Sequence, residues 1–371
     1  MFLKTFGWSL GVTVVALAAA FAYDGTTGLA LCAILGVLEV SLSFDNAVVN
    51  AKVLERMSDY WQKIFLTVGV LIAVVGMRLV FPLLIVGITA SLGPIDAIKL
   101  ALEGGDPDQP GTYGYLLTQA HPLIAAFGGM FLLLLFLDWL FEDREITWLS
   151  WLERPLARIG KLDALSVIIA AIALVVAAEY LTPDEERATV LIAGVLGVIT
   201  YLAVNGLGTL FEGGEDDEDG DGVPAPARSG GVSRAAKATG KAAFFLFLYI
   251  EVLDASFSFD GVIGAFAITS DPILITLGLG LIGAMFVRSI TVFLVRQGTL
   301  SEYVYLEHGA HWAIGALAGI LLVSLKWEVP EVVTGLIGVA FIGAAFIGSL
   351  GRIRRGDAAE LRAEDPTHER V

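Results

Sequence analysis

Long runs of apolar residues, separated by short charged segments, dominate the chain. A helix that crosses a membrane needs about 20 mostly apolar residues, and ten segments approach that length. They cover roughly 8–23, 28–51, 64–89, 122–141, 164–181, 188–210, 242–268, 272–295, 309–326 and 329–349. Because an open strand cannot satisfy its backbone hydrogen bonds in hydrocarbon, the pattern predicts an all-α polytopic membrane protein with about ten transmembrane helices.

The basic residues assign the ends of these segments to two sides. If the N-terminus is cytoplasmic, the outer loops carry only three of the 23 basic residues, Lys99, Arg187 and Lys326, and the inner segments carry eighteen. Cytoplasmic loops are enriched in Lys and Arg, so we expect both termini on the cytoplasmic side of the cell membrane. Lys4, the apolar run after it and Ala20-Phe21-Ala22 leave open a cleaved secretory signal.

Composition narrows the class of protein further. Of the 371 residues, 56% are hydrophobic and 17% are charged, against about 25% charged in ordinary soluble domains. The net charge of −16 argues against a basic surface for nucleic acid, and a single cysteine excludes an intramolecular disulfide framework. The chain lacks a P-loop, a Gly-x-Ser-x-Gly motif and a His-Glu-x-x-His motif. We therefore expect no enzyme.

A change of composition divides the chain. Residues 211–241 are acidic and glycine-rich, then proline-containing and basic, which predicts a flexible cytoplasmic linker. Asp217-x-Asp219-x-Asp221-Gly222 fits the start of a calcium loop, but Arg228 occupies the twelfth position, so the acidic linker is the favoured interpretation and weak Ca²⁺ attraction stays open. We expect a first membrane repeat with flanking helices in 1–210, a second repeat in 242–350, and a charged, mobile cytoplasmic tail in 351–371.

The two membrane regions contain an internal repeat. Glu39-Val40-Ser41-Leu42-Ser43-Phe44-Asp45-Asn46 shares acid-x-Ser-x-Ser-Phe-Asp with Asp254-Ala255-Ser256-Phe257-Ser258-Phe259-Asp260-Gly261. An arginine follows in the next segment of each copy, and a Tyr-x-Tyr-Leu-x-x-x-Ala-His block begins at Tyr113 and again at Tyr303. The predicted sidedness makes the two motif helices run in opposite directions. Inverted repeats are typical of transporters, whose site lies near the membrane midplane at the repeat interface.

Ionisable residues inside membrane helices cost about 2.5–3.5 kcal/mol each on insertion scales, so they indicate a functional site. The predicted site contains five acids and one amide: Glu39, Asp45, Glu251, Asp254, Asp260 and Asn46. Oxygen ligands of this kind suit Mn²⁺, Mg²⁺ or Ca²⁺. Arg78 and Arg288 are candidate charge-balancing residues; purely structural ion pairing and a proton relay through the same carboxylates are the alternatives.

Helical geometry and flanking residues add further expectations. Six residues separate Glu39 from Asp45, about 120° around an ideal helix, so either the motif helices are packed on several sides or each is broken near its Ser-Phe-Asp step. His121 and His311 are expected at helix starts, as gating residues or as amphipathic residues of the membrane interface. Asp138 and Glu328 occupy matching positions at helix ends and are expected to be solvated.

The motifs resemble a known family. Glu39-Val40-Ser41-Leu42-Ser43-Phe44-Asp45-Asn46-Ala47, together with Glu251-x-x-Asp254-x-x-Phe257-Ser258-Phe259-Asp260, is similar to the TerC family of integral membrane proteins, within the LysE exporter superfamily. The chain looks like a divergent branch, because Gly261 follows Asp260. The resemblance implies cation ligation by Glu39, Asp45, Asn46, Asp254 and Asp260, and a link to manganese efflux or tellurium resistance.

These observations together predict a secondary transporter that exports a divalent cation, with Mn²⁺ as the favoured substrate and no organic cofactor. Its expected partners are the lipid bilayer, the metal ion, and further copies of the chain or subunits of a membrane stress complex, but no nucleic acid. Two alternatives stay open. One is a non-transporting membrane scaffold or stress-response subunit, and the other is an exporter of small organic solutes.

Overall fold

The structure is a computed structural model that describes residues 2–42, 44–72, 75–76, 80–105, 108–144, 146–160, 164–212, 237–269, 271–296 and 303–364. Within these ranges the backbone alone is described for 2–4, 41–42, 44–45, 207–212, 257–261, 263–264, 266–267, 296, 331 and 355–364.

The described residues form helices and one isolated parallel bridge, between Met57 and Ala238, and contain no strand. The helices are α1 (Phe2–Leu42), α2 (Phe44–Glu55), α3 (Asp59–Ile64), α4 (Phe81–Thr89), α5 (Pro94–Glu103), α6 (Tyr113–Gln119), α7 (His121–Phe141), α8 (Ser150–Ile159), α9 (Leu165–Tyr180), α10 (Arg187–Glu212), α11 (Gly240–Ile268), α12 (Pro272–Ile275), α13 (Ala284–Arg296), α14 (Leu306–Val323) and α15 (Glu331–Glu364). The π-helical segments Phe65–Gly69 and Thr276–Gly283 follow α3 and α12.

Six of the described helical stretches are long and apolar enough to cross a membrane. A pair of shorter helices, α4 and α5, is bent by 111° and would give a seventh span if counted as one. The predicted all-α membrane protein is therefore confirmed at the level of fold class and multiple spans. The six are Thr5–Val40, His121–Phe141, Arg187–Gly206, Pro272–Val295, Leu306–Val323 and Val332–Arg354.

The first of these stretches is a helical hairpin. Asp24 and Gly25 leave the helical conformation inside α1, and Gly25 has φ +60° and ψ −142°. Ser9 Oγ donates a hydrogen bond to the carbonyl of Met285, while Glu39 packs against Gly283. Thirty residues of straight helix would cover about 45 Å, yet both ends of α1 contact positions two residues apart. The chain therefore reverses at Gly25, as the predicted segments 8–23 and 28–51 require.

The structure adds local features to the picture from the sequence. Helix α15 continues into the charged tail as far as Glu364, because its last turns are rich in the strong helix formers Ala, Glu, Leu and Arg. The loop after segment 64–89 contains the helices α5 and α6. In the second motif region, α11 runs unbroken past Asp260 and Gly261, whereas Ser43 of the first motif region lies outside the described residues. Of the two alternatives for the motif helices, the described backbone of the second copy therefore agrees with an unbroken helix.

Contacts near the ends of the helices fall into two groups. In the first group, Lys52 pairs with Glu307 at 2.9 Å and Lys237 with Asp59 at 2.7 Å; His308 also bonds the carbonyl of Ile146. In the second group, Lys326 donates to the carbonyl of Tyr180, and Ser324 contacts His121. The first group joins segments that the basic residues assign to the inner side, and the second joins segments assigned to the outer side.

Candidate functional site

The repeat motifs meet through a buried hydrogen bond between α2 and α11. Asn46 Nδ2 donates to Asp254 Oδ1 at 2.5 Å, and both residues are buried, with 1% and 4% exposure. Further along the chain, Leu54 of α2 and Met57 just after it belong to the same buried cluster as Ala242 of α11. Increasing residue numbers on α2 therefore face decreasing numbers on α11, so the two motif helices are antiparallel.

A small cavity of about 20 Å³ lies beside this contact. Glu251 and Asp254 from α11 and Asn50 from α2 supply its polar wall. On their helices, Asn50 is four residues after Asn46 and Asp254 three after Glu251, spacings that place each pair on one helix face. The rest of the lining comes from the first π-helical segment and α13: Phe65, Gly69, Val70, Ala284, Val287, Arg288 and Thr291.

Glu251 is the least satisfied acid of this cavity. It is 4% exposed, and neither of its carboxylate oxygens has a hydrogen-bond partner among the described residues. The Oδ1 atom of Asn50 is buried without such a partner as well. Burying an ionised carboxylate is costly unless an opposite charge or hydrogen-bond donors compensate it. The cavity thus presents oxygen atoms suited to a cation or a proton.

Each of two buried acids packs against a glycine that ends a π-helical segment. A Cβ atom on Gly69 would stand 2.7 Å from Glu251 Oε1, and one on Gly283 would collide with the side chain of Glu39. Gly69 and Gly283 are the last residues of Phe65–Gly69 and Thr276–Gly283. Segments of π-helix are rare and frequent at functional sites. Here Gly69 of the first repeat approaches Glu251 of the second repeat, and Gly283 of the second repeat approaches Glu39 of the first.

Arg288 lines the same cavity as Glu251 and Asp254. Its Nε atom donates to the carbonyl of Leu66 at 2.8 Å, inside the first π-helical segment. The position is compatible with the predicted charge-balancing role, and the hydrogen bond shows that the backbone also orients this guanidinium. Its repeat counterpart, Arg78, lies outside the described residues.

The structure brings together only part of the predicted ligand set. Asn46, Glu251 and Asp254 adjoin one cavity, and Glu39 is buried in α1 with 2% exposure. The side chains of Asp45 and Asp260 lie outside the described residues, although their backbones belong to α2 and α11. Among the residues whose side chains are described, no group of three His, Cys, Asp or Glu is placed to hold a metal ion.

The two histidines differ in their settings. His121 begins α7 as predicted, and its Nε2 atom lies 3.3 Å from Ser324 Oγ. His311 was wrongly placed at a helix start, because α14 begins five residues earlier, at Leu306. It is 9% exposed, bonds the carbonyl of Glu307 through Nδ1 and stacks on Trp139 with ring centroids 4.6 Å apart.

A second cavity of about 430 Å³ lies on another side of α2. Asp138 lines it and accepts a hydrogen bond of 2.7 Å from the hydroxyl of Tyr201. Asp138 is half-buried beside this cavity, and Glu328 is exposed as predicted. Neither Tyr201 nor Asn50 was predicted from the sequence; the i, i+4 spacing from Asn46 was the one signal for Asn50. Further polar lining residues are Lys52, Arg56, Glu142, Asn205, Tyr249, Glu307 and His311.

This fold defines a class of protein: an all-α, multi-pass membrane protein with buried carboxylates and amides around a small cavity. The chain belongs to the family described as Protein of unknown function (DUF475), which matches residues 44–356. The matched region includes both motif helices, α2 and α11, and every residue that lines the small cavity. No curated protein and no solved structure matches the chain.

Proposed function

We propose that this protein is a secondary transporter of the cytoplasmic membrane that exports a divalent cation, Mn²⁺ by preference. In this proposal ten transmembrane helices form two inverted repeats, both termini are cytoplasmic, and the substrate binds at the repeat interface. An ion gradient drives alternating access. The TerC-like motifs around Asp45 and Asp260 contribute the remaining ligands.

Contacts within the fold support the proposed topology. The contacts near the ends of the helices form the two groups that the basic residues predict. Helices α7 and α14, which carry the third block of the repeat, are antiparallel: His121 contacts Ser324 near one end, and Trp139 stacks on His311 near the other. Asp138 and Glu328 agree with this antiparallel arrangement. Asp138, near the end of α7, lines a cavity with His311, near the start of α14. Glu328, which follows α14, lies near enough to His121 at the start of α7 to interact with it electrostatically.

The observation that carries the proposal is the pair of Glu251 carboxylate oxygens, which have no hydrogen-bond partner among the described residues and lie beside Asp254 in a cavity large enough for one small ion or water molecule. A cavity needs roughly 10–15 Å³ to hold one water molecule, and this one offers about 20 Å³. A dehydrated cation fits such a space, whereas an amino acid or another organic solute does not. The size therefore favours an ion over an organic solute in this conformation.

The donor types favour a hard cation. Glu251, Asp254 and Asn50 offer oxygen atoms, and the single cysteine, Cys32, is buried in α1, away from the cavity. Carboxylate and amide oxygens suit Mn²⁺, Mg²⁺ and Ca²⁺, whereas thiolates are the preferred ligands of softer ions. A bound divalent cation would also compensate the two charges that α11 buries within one helical turn.

Calorimetric titration of the purified protein with Mn²⁺, Mg²⁺ and Ca²⁺ tests this site. We expect saturable Mn²⁺ binding that Glu251→Gln and Asp254→Asn each weaken by tenfold or more. Glu179→Gln is the matched control, because Glu179 is 56% exposed and makes the same change of charge outside the cavity. Equal Mn²⁺ binding by the parent, both variants and the control would refute the site, and no binding by the parent would favour the scaffold alternative.

A further inference from the structure

A third cavity, of about 270 Å³, lies close to the carboxylate cavity. It is lined by Leu54, Asp59, Gln62, Lys63, Leu66, Val292 and Val295. We call it the outer cavity, meaning that it lies nearer to solvent than the carboxylate cavity, because Asp59 and Lys63 at its rim are exposed. Asp59 and Lys63 belong to a segment that the basic residues assign to the cytoplasmic side.

The same three elements line both cavities, about one helical turn apart. On α2, Asn50 faces the carboxylate cavity and Leu54 the outer cavity. On α13, Arg288 and Thr291 face the first, and Val292 and Val295 face the second. Four residues of helix correspond to about 6 Å along the axis. The two cavities therefore follow one another along a single line between α2, α13 and the segment that runs from α3 into the first π-helix.

One hydrogen bond crosses the space between the cavities. Arg288 lines the carboxylate cavity, Leu66 lines the outer cavity, and Arg288 Nε donates to the carbonyl of Leu66 at 2.8 Å. A guanidinium at this position narrows the passage and repels an approaching cation electrostatically. Its movement towards the acids, or its displacement by a cation, would open the passage.

We propose that the outer cavity is the cytoplasmic access route to Glu251 and Asp254, and that Arg288 closes its inner end. This inference rests on the proposed function, because it names the route that the exported cation takes. The route is open to solvent at Asp59, ends at Arg288, and continues into the carboxylate cavity when Arg288 moves aside. Arg288 is thus a positioning residue that controls access.

Thiol accessibility tests the route without any metal. The natural cysteine is replaced first, as Cys32→Ala, and single cysteines are then introduced at Val292, Thr291 and Phe293 of the full chain. Val292 lines the outer cavity and Thr291 the carboxylate cavity, whereas Phe293 lines neither and is 37% exposed on the outside of the helix. Phe293→Cys is therefore the control for a position of the same depth that faces lipid.

Inside-out vesicles are treated with a charged, membrane-impermeant thiol reagent. We expect Val292→Cys to react at least tenfold faster than Phe293→Cys, and faster than in right-side-out vesicles. Thr291→Cys should be protected from the reagent while Arg288 is present, and it should react at least tenfold faster in an Arg288→Ala background. Arg288→Lys, which keeps the charge but not the planar donor, should give an intermediate rate.

Two results would overturn the inference. One is Val292→Cys reacting no faster than Phe293→Cys from the cytoplasmic side, and the other is Thr291→Cys reacting equally with and without Arg288. An unchanged rate at Val292→Cys in the Arg288→Ala background verifies that this variant is folded. Labelling needs no cation, so its outcome does not depend on whether Mn²⁺ is the substrate. If the parent protein did not bind Mn²⁺, the proposed substrate would be contradicted, and the labelling pattern would still test the access route.

Discussion

Replacing Gly69 by alanine tests whether Glu251 must lie where the structure places it. A Cβ atom at position 69 would stand 2.7 Å from Glu251 Oε1 and 2.8 Å from Phe65 Cδ2. Ordinary contact begins at 3.4 Å, so the carboxylate oxygen must withdraw by about 0.7 Å. Binding sites need their ligands within about 0.5 Å of the productive geometry. We therefore expect Gly69→Ala to displace the acid from its cavity.

The expected loss is one of affinity more than of stability. Alanine favours a helix over glycine by about 1 kcal/mol, which offsets part of the 1–3 kcal/mol that overpacking typically costs. Perturbing the support of a metal ligand typically lowers affinity by about 10–100-fold, and we expect a loss of this size for Mn²⁺ in calorimetric titration. Thermal unfolding in detergent should change little.

Gly319→Ala provides the matched control for this prediction. Gly319 lies in α14, and a Cβ atom there would have no heavy atom within 4 Å. The control should bind Mn²⁺ like the parent protein. If Gly69→Ala also bound Mn²⁺ like the parent while remaining folded, the position of Glu251 against the first π-helical segment would have no bearing on binding, and the reasoning would be refuted.

Three further predictions concern side chains outside the carboxylate cavity. Glu153→Gln should lower the free energy of unfolding by about 1.5–3 kcal/mol, measured by thermal unfolding in detergent, because this residue is 1% exposed and accepts two backbone N–H bonds of 3.1 Å; an unchanged stability would contradict it. Tyr201→Phe should cost about 1 kcal/mol, the usual net value of one hydrogen bond, and leave Mn²⁺ affinity unchanged; a loss of affinity would link Asp138 to the carboxylate cavity. Lys237 donates a hydrogen bond to Asp59 and holds the pKa of that carboxyl below its usual value, so their contact persists above the ordinary pKa near 4 and is lost as the pH falls through the lowered value. The protection of the amide of residue 238, measured relative to its intrinsic exchange rate at each pH, should therefore fall only below about pH 4, and a fall that begins at higher pH would argue against the pair.

The sequence alone was sufficient to predict the features that depend on local pattern. Apolar runs indicated the helices, and the acid-x-Ser-x-Ser-Phe-Asp repeat singled out the two helices whose residues Asn46 and Asp254 are bonded in the structure. The reversal inside α1 was also implied, since the two apolar runs 8–23 and 28–51 flank Asp24 and Gly25. Each of these features can be recognised from one continuous stretch of sequence or from the comparison of two such stretches.

Features that depend on packing between distant segments could not be predicted. The π-helical segments have no signal in hydropathy, because their apolar residues would equally form an α-helix. Asp138 lies near a helix end, where the sequence predicts contact with solvent. Its hydrogen-bond partner Tyr201 comes from a distant segment, α10, which the local sequence does not indicate. His311 was misplaced because the apolar run begins near residue 309, whereas the helix begins at Leu306 and includes Glu307, whose carboxylate pairs with Lys52 near the end of α2.

Transport by the reconstituted protein is the measurement that tests the central claim most directly. Proteoliposomes containing a fluorophore that Mn²⁺ quenches are exposed to external Mn²⁺ under an imposed ion gradient, with Glu251→Gln as the inactive variant and Glu179→Gln as the control. The account predicts quenching by the parent and the control at equal rates, and at least tenfold slower quenching by Glu251→Gln. Equal rates in all three samples and in protein-free liposomes, or equal transport by Glu251→Gln and the parent, would contradict it.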